Sequence, residues 1–297
     1  MSNPYYKDYG DFLAERFDGK VQKITINAGF TCPNRDGTLG RGGCSYCNNH
    51  SFSPTTGTTS QSISQQIIDG KRFFSKKYPE MHYLAYFQSY TNTYGEVERL
   101  MSLYNEALAY DEVVGLIIGT RPDCMPDALL NCLADLNKSK PIIIEYGAES
   151  SHDSTLTTVN RCHNWETTVD AVMRTHNAGL AIGLHFILGL PGETKEMMMQ
   201  TVDCASRLPI DCVKFHQLQI VKGTRLAADF LSGKTEIRLF DVDEYIELCA
   251  EIISRLRPDI AIERFVSQSP DHLLIAPRWG LKNYEFTHRL FNTLAHK

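Results

Sequence analysis

No apolar stretch in this sequence approaches the roughly 20 residues that a helix needs to cross a bilayer. The first residues, MSNPYYKDYGDFLAERF, carry no apolar segment behind a basic start. Neither a membrane span nor a secretory signal is therefore predicted, and a cytoplasmic location is expected. A basic excess is missing too. Lys and Arg number 30 against 35 Asp and Glu, a formal net charge of −5 over 297 residues. That excludes the broad electrostatic footprint of a basic nucleic-acid-binding domain, though not a local basic groove. There is no low-complexity tract, internal repeat or linker-like stretch, so one large domain or two modest ones are expected. Nor is the cysteine count even. Nine thiols in a reducing compartment are expected to be free or to bind metal rather than to form disulfides.

What is present is alternation. Apolar, β-rich runs at 21–27, 82–87, 113–118, 141–146, 181–188 and 212–218 read as strands. Several are almost wholly apolar, as parallel strands covered on both faces are. Helical patterns lie between them. One covers 62–78, with Thr59 or Ser60 as N-cap and Ile63, Ile67, Phe73 and Phe74 toward one side. Others cover 96–110, 126–136, 165–177, 194–208 and 241–256, the last stopped by Pro258. Six such units end near residue 220. They predict an α/β fold: a partial (βα)6 TIM-type barrel over 1–220, with a C-terminal α/β extension, 221–297, packed on it. In such folds the loops at the C-terminal strand ends carry the chemistry.

The loop after the first strand reads NAGFTCPNRDGTLGRGGCSYCNNH and sets Cys32, Cys44 and Cys47 as C-x11-C-x2-C. Gly37, Gly40, Gly42 and Gly43 allow it to fold tightly, and its amides are expected to form a nest facing sulfur. Three thiolates suit three irons of a four-iron cluster, leaving the fourth iron open to an outside ligand. The spacing equally suits zinc, with His50 completing a Cys3His set. Three bare thiols are the third reading.

The motifs INAGFTCPNRDG and GGCSYCNN follow the first strand, YFQSYTNTYG the second, GTRPDC the third and IEYGAES the fourth. NRCH and GLHFILGLPGET come after these. Together, over nearly the whole chain, they resemble the radical S-adenosylmethionine (SAM) superfamily, its elongator-like branch and, within that, the YhcC-like bacterial group. The resemblance implies a [4Fe–4S] cluster on Cys32, Cys44 and Cys47. It implies SAM chelating the open iron and a one-electron donor such as flavodoxin or ferredoxin. A sulfur–carbon bond of SAM would then be cleaved to a 5′-deoxyadenosyl radical, acting on RNA or a small metabolite. Tyr46 would flank the adenine. Gln88 and Ser89 stand where the family contacts the methionine amino group, in place of the usual Gly-Gly-Glu or Gly-Gly-Thr. Glu145 and Glu149 flank the fourth strand end, with Glu149 at the ribose. Ile187 and Leu188 would offer an apolar edge to adenine.

Three further expectations concern what the cavity would bind. Arg121 suits a carboxylate or phosphate. Arg161 or His163 is the substrate-side expectation. Arg264, Arg278, Trp279 and Lys282 are expected to form a helix-capping cluster over the barrel, with pairing and stacking on a nucleotide as the alternative. The competing reading is a zinc-stabilised binding protein of the same fold without radical chemistry. A tRNA-modifying partner subunit is a third.

Overall fold

The computed structural model describes residues 3–52, 61–76 and 80–297. In chain order its strands are β1 (Val21–Ile26), β2 (His82–Phe87), β3 (Val113–Thr120), β4 (Ile142–Glu149), β5 (Ala181–Leu188), β6 (Cys212–Gln217), β7 (Ile220–Val221), β8 (Ala261–Arg264) and β9 (Leu274–Ala276). Seven of them form one sheet in the order β1-β2-β3-β4-β5-β6-β8, every pair parallel. The sheet curls into a half-barrel with helices outside. β7 and β9 make a small antiparallel ribbon apart from it.

All six expected strands are present, and the barrel is larger than expected by one. The seventh strand, β8, comes from the C-terminal extension. Its sequence, AIER, is four residues long and half charged, so it carries no apolar run to mark it. The helix expected over 62–78 spans Ile63–Ser75, and its N-cap is Ser62, which accepts from the Gln65 amide at 3.1 Å. Thr59, Ser60 and the expected helix end at 77–78 lie outside the described residues. Ile63 and Ile67 are buried, and the stripe continues to Phe74. Phe73 falls off it and is 67% exposed. No helix among the described residues is long and apolar enough to cross a membrane.

Alternation along each strand separates two faces. Tyr83, Ala85 and Phe87, then Ile142, Ile144 and Tyr146, then Ile182, Leu184, Phe186 and Leu188 join the main core between sheet and helices. The intervening residues point into the half-barrel. At the N-terminal strand ends these are Leu84, Ile117, Ile143, Cys212 and Ala261, which Tyr9 and Phe12 of the helix Tyr9–Ala14 plug together with Phe17. One layer higher the inward residues are charged. At the top they face a cavity. The inner face thus runs from apolar floor to ionic middle to open mouth.

Gly115 on β3 belongs to the floor. A Cβ there would stand 2.5 Å from the carbonyl oxygen of Pro141, with Leu84 and Phe17 also in contact range. A backbone carbonyl cannot swing aside as a side chain can. Gly115→Ala is expected to cost about 1–3 kcal/mol of overpacking, read as a lower urea midpoint at unchanged slope.

Candidate active site at the C-terminal strand ends

The cysteine loop is shaped by local rules. Cys32 is the N-cap of a short helix, Pro33–Asp36, which opens on Pro33 and closes on Gly37 at φ 99°. The amides of Leu39 and Gly40 return to the Pro33 carbonyl, and that of Gly43 to Asn34. The expected nest is therefore largely spent on the loop itself, since Gly37, Leu39, Gly40 and Gly43 donate within it. Asn34 is fully buried beneath. Its amide nitrogen donates to the Asn160 carbonyl at 2.6 Å and contacts Cys44 Sγ at 3.6 Å. Gly40 makes room for it: a Cβ there would lie 2.3 Å from Asn34 Oδ1.

The loop is tied to distant chain as well. Ser45 donates to the Val159 carbonyl, and Leu226 of the helix Arg225–Leu231 donates to Ser45. Arg161 donates to Cys44 Sγ at 3.5 Å and to the Gly147 carbonyl at 2.5 Å, and meets Glu149 at 3.5 Å. Arg35 donates to the Cys47 carbonyl at 2.7 Å. Arg161 thus holds the loop while also lining the cavity. His163, its companion in NRCH, is outside the cavity lining. Arg161→Met is expected to destabilise by about 1–3 kcal/mol, because it leaves the half-buried Glu149 without its cation and the Cys44 loop without its brace. Thermal unfolding of the metal-free protein checks this.

One cavity gathers most of the expected residues. Cys32, Cys44, Cys47, Tyr46, Gln88, Arg121, Glu145, Glu149 and Ile187 all line it. Ser89 and Leu188 do not. Each follows an inward-facing residue on its strand or strand end, so alternation sends Leu188 into the main core and leaves Ser89 buried outside the lining. The C-terminal cluster read as capping or as nucleotide-binding separates. Arg264 lines the cavity, whereas Trp279 stacks on Phe286 and donates to the Phe240 carbonyl, and Arg278 donates to the Leu274 and Asp271 carbonyls. Four non-glycine residues around the mouth adopt positive φ: Tyr90, Glu149, Asn160 and Cys162. Strained backbone of this kind gathers at functional sites.

The wall beside the thiols suits an anionic group. Arg121 is committed to Asp123 through two parallel hydrogen bonds, at 2.9 and 2.7 Å, and its Nη2 also reaches the Arg161 carbonyl. Its Nη1, the Nε of Arg161 and the Tyr46 hydroxyl are buried without a protein partner. Burial, and then neighbouring Cys44, pushes the Cys47 thiol up to about 11 while Arg35 pulls it down. A thiol held protonated by burial ionises when a metal replaces its proton. Among the described residues no three His, Cys, Asp or Glu side chains stand close enough to share one ion. A four-iron cube, bound at separate corners, takes a wider set of thiolates than one ion does. His50 is exposed and outside the lining.

Below the mouth lies an ionic square that sequence reasoning missed. Lys23 of β1 meets Glu145 at 3.4 Å and Glu263 at 2.9 Å; Lys214 of β6 meets them at 3.0 and 3.1 Å. Tyr86 and His185 add hydrogen bonds to Glu145 at 2.7 and 2.9 Å. Four donors fill the roughly four lone-pair sites of a carboxylate. No acceptor remains for a ribose, so Glu145 is a buried anchor rather than a cofactor contact. Although burial alone would raise it, Lys214 and Lys23 hold its carboxyl well below the usual range. The signal was present as charged or imidazole side chains at alternate, inward positions of apolar strands: IEY, GLHF and VKFH.

A curled parallel half-barrel whose first βα loop turns three thiols into a cavity ringed by strand ends defines the radical SAM class. The chain belongs to the radical SAM superfamily: that family's model matches residues 29–205, and the radical SAM C-terminal domain matches 210–296. It is 34% identical to YtqA of Bacillus subtilis (strain 168), across 92% of this chain and 84% of that one. It is 35% identical to YhcC of Escherichia coli (strain K12), across 91% and 86%. Among solved structures it resembles Elp3 of Methanocaldococcus infernus lacking residues 1–46, with a TM-score of 0.72 at 17% identity, over 94% of this chain and 63% of that one. Methylornithine synthase (PylB) gives 0.51 at 13% identity, over 93% and 81%. These two likenesses concern the fold. The chain spans less than two thirds of the Elp3 chain.

Proposed function

We propose that the chain is a radical SAM enzyme holding a [4Fe–4S] cluster on Cys32, Cys44 and Cys47, with SAM beside it in the same cavity. The observation that carries this is the meeting, in one cavity, of three thiols from one loop with arginine and tyrosine donors that no protein acceptor satisfies. When bound, cluster and SAM supply reductive cleavage of a sulfur–carbon bond, fed by a flavodoxin or ferredoxin, and a 5′-deoxyadenosyl radical that removes a hydrogen atom from substrate. The chain's own residues bind, orient and exclude water. Arg161 and Asn34 hold Cys44 in place, and Arg35 fixes the backbone at Cys47. Tyr46 and Ile187 offer apolar surface for the adenine. Gln88 would meet the methionine end, and the Glu149 carboxylate the ribose.

The test is anaerobic reconstitution of the full chain, analysis of iron and sulfide, and reduction in the presence of SAM. Bound iron and sulfide with release of 5′-deoxyadenosine are expected. One zinc per chain without sulfide would instead establish the zinc-stabilised binding protein.

RNA as substrate draws support from a 28% identity to the tRNA uridine(34) acetyltransferase of Methanocaldococcus infernus, over 46% of this chain and 25% of that protein. Specific RNA should then copurify at low salt, and its absence would favour a small metabolite.

A further inference from the structure

The ionic square under the cavity is balanced, two lysines against two glutamates. Arg264 is not part of it. Glu263, its neighbour in sequence, is taken by Lys23 and Lys214. Among the described residues Arg264 has no carboxylate at ion-pair distance. Its one hydrogen bond runs from Nη2 to His216 Nε2 at 3.2 Å, and its Nε is buried with no partner. An arginine always donates, so His216 accepts at Nε2 and carries its proton on Nδ1. Burial, and then Arg264 itself, holds His216 well below its ordinary value, hence neutral. His185 is also held down, by burial and then Lys214. Among these groups one positive charge is left without a counterion.

The backbone aims that charge deliberately. Along β8 strict alternation would turn Glu263 inward and Arg264 outward. Instead Val213 pairs with Ile262 and Lys214 with Arg264, so β8 gains one residue on β6. This β-bulge puts Arg264 opposite inward-facing Lys214, and both it and His216 line the cavity. Bulges beside sites re-aim side chains in this way. The chain just beyond is braced. The Ser267 amide donates to Gln217 Oε1 at 2.9 Å and Gln217 Nε2 returns to the Ser267 carbonyl at 3.0 Å. A half-buried guanidinium on a rigid mount, with a buried Nε that has no acceptor and no carboxylate at ion-pair distance, is costly unless something balances it.

We propose that Arg264, turned into the cavity by the bulge in β8, seats an anionic oxygen group of the substrate, a carboxylate or a phosphate. This rests on the radical SAM reading for what fills the rest of the cavity. A guanidinium fork matches either group, and His216 Nδ1–H adds a neutral donor beside it.

The test is calorimetric titration of the anaerobically reconstituted full chain at constant ionic strength, with inorganic phosphate and separately with succinate. At least one is expected to bind. Its affinity should fall about tenfold or more in Arg264→Gln, equivalent to about 1.4 kcal/mol, and stay unchanged in Arg278→Gln, a surface control. Phosphate alone points to a phosphate ester and succinate alone to a carboxylate. If Arg264→Gln does not fold, Arg264→Lys, which keeps the charge but loses the fork, should still weaken binding by about threefold or more. The proposal is overturned if neither anion binds the wild type, or if the folded variant binds as tightly. It is also overturned if SAM affinity falls in step with anion affinity, which would make Arg264 a cofactor contact. Assaying 5′-deoxyadenosine on the same wild-type sample separates the two readings. Cleavage without anion binding defeats this proposal alone, and anion binding without cleavage defeats the radical SAM reading.

Discussion

Cys44→Ala should abolish both bound iron and 5′-deoxyadenosine release. Of the three thiols Cys44 is the most buried and the most tightly held, touched by Asn34 and Arg161. On the proposed reading its removal takes away one corner of the cluster, and it also costs Arg161 its sulfur acceptor. A fall in turnover beyond about 10³-fold is expected, which is about 4 kcal/mol of barrier, together with loss of the cluster's visible absorption. Cys132 lies on the helix Asp127–Asn137, away from the loop, so Cys132→Ala should keep both. Equal iron in the two variants would show that Cys44 holds no metal.

The second large effect is on stability. Glu145→Ala removes the carboxylate that meets both lysines of the square, while Glu145 itself is 1% exposed. Breaking a buried pair by deleting one partner costs about 3–5 kcal/mol, because the surviving charge is left uncompensated. Urea unfolding of the metal-free protein measures it, and a change below about 1 kcal/mol would contradict the arrangement. The same groups set the response to acid. The paired Glu145 and Glu263 carboxyls are held low. Their contribution is complete above the ordinary carboxylate value of about 4.3 and is lost as pH falls through the depressed values. His185 and His216 are also held low, by burial first. Below about pH 6.5 the unfolded chain therefore takes up protons that the folded one refuses. The urea midpoint should decline from pH 7 to pH 5 and drop more steeply below pH 4; a flat profile would count against it.

Much of this was legible because the decisive residues are close in sequence. Cys32, Cys44 and Cys47 sit on one loop with the glycines that shape it, and long apolar strands announced the barrel. Strand-end residues could be placed to within one position. Gln88 and Ile187 reach the cavity where Ser89 and Leu188 miss it, since a single step along a strand reverses the face. What stayed hidden is carried by pairing across the barrel. Nothing local in CVKFHQ or AIER says that Glu263 meets Lys214 and also Lys23, at the far edge of the sheet. Arg161 does line the cavity as expected, but its grip on Cys44 could not be read beforehand, because only the folded chain brings the two together. The turn of Arg264 depends on a bulge between two strands, and a register shift leaves no mark in either strand read alone.

The order of the sheet gives it two rims, β1 and β8, and the rim at β8 is already occupied. Ile262 donates its amide to the Lys7 carbonyl at 2.9 Å, and Asp8 bridges Ile262 in parallel. An uncovered rim is a template on which a second molecule can add a strand. The first turn of the chain therefore acts as a guard against self-association as well as a stopper for the barrel floor. A protein shortened past Phe12 would expose that template and, through the loss of Tyr9 and Phe12, unseal the floor beneath the ionic layer.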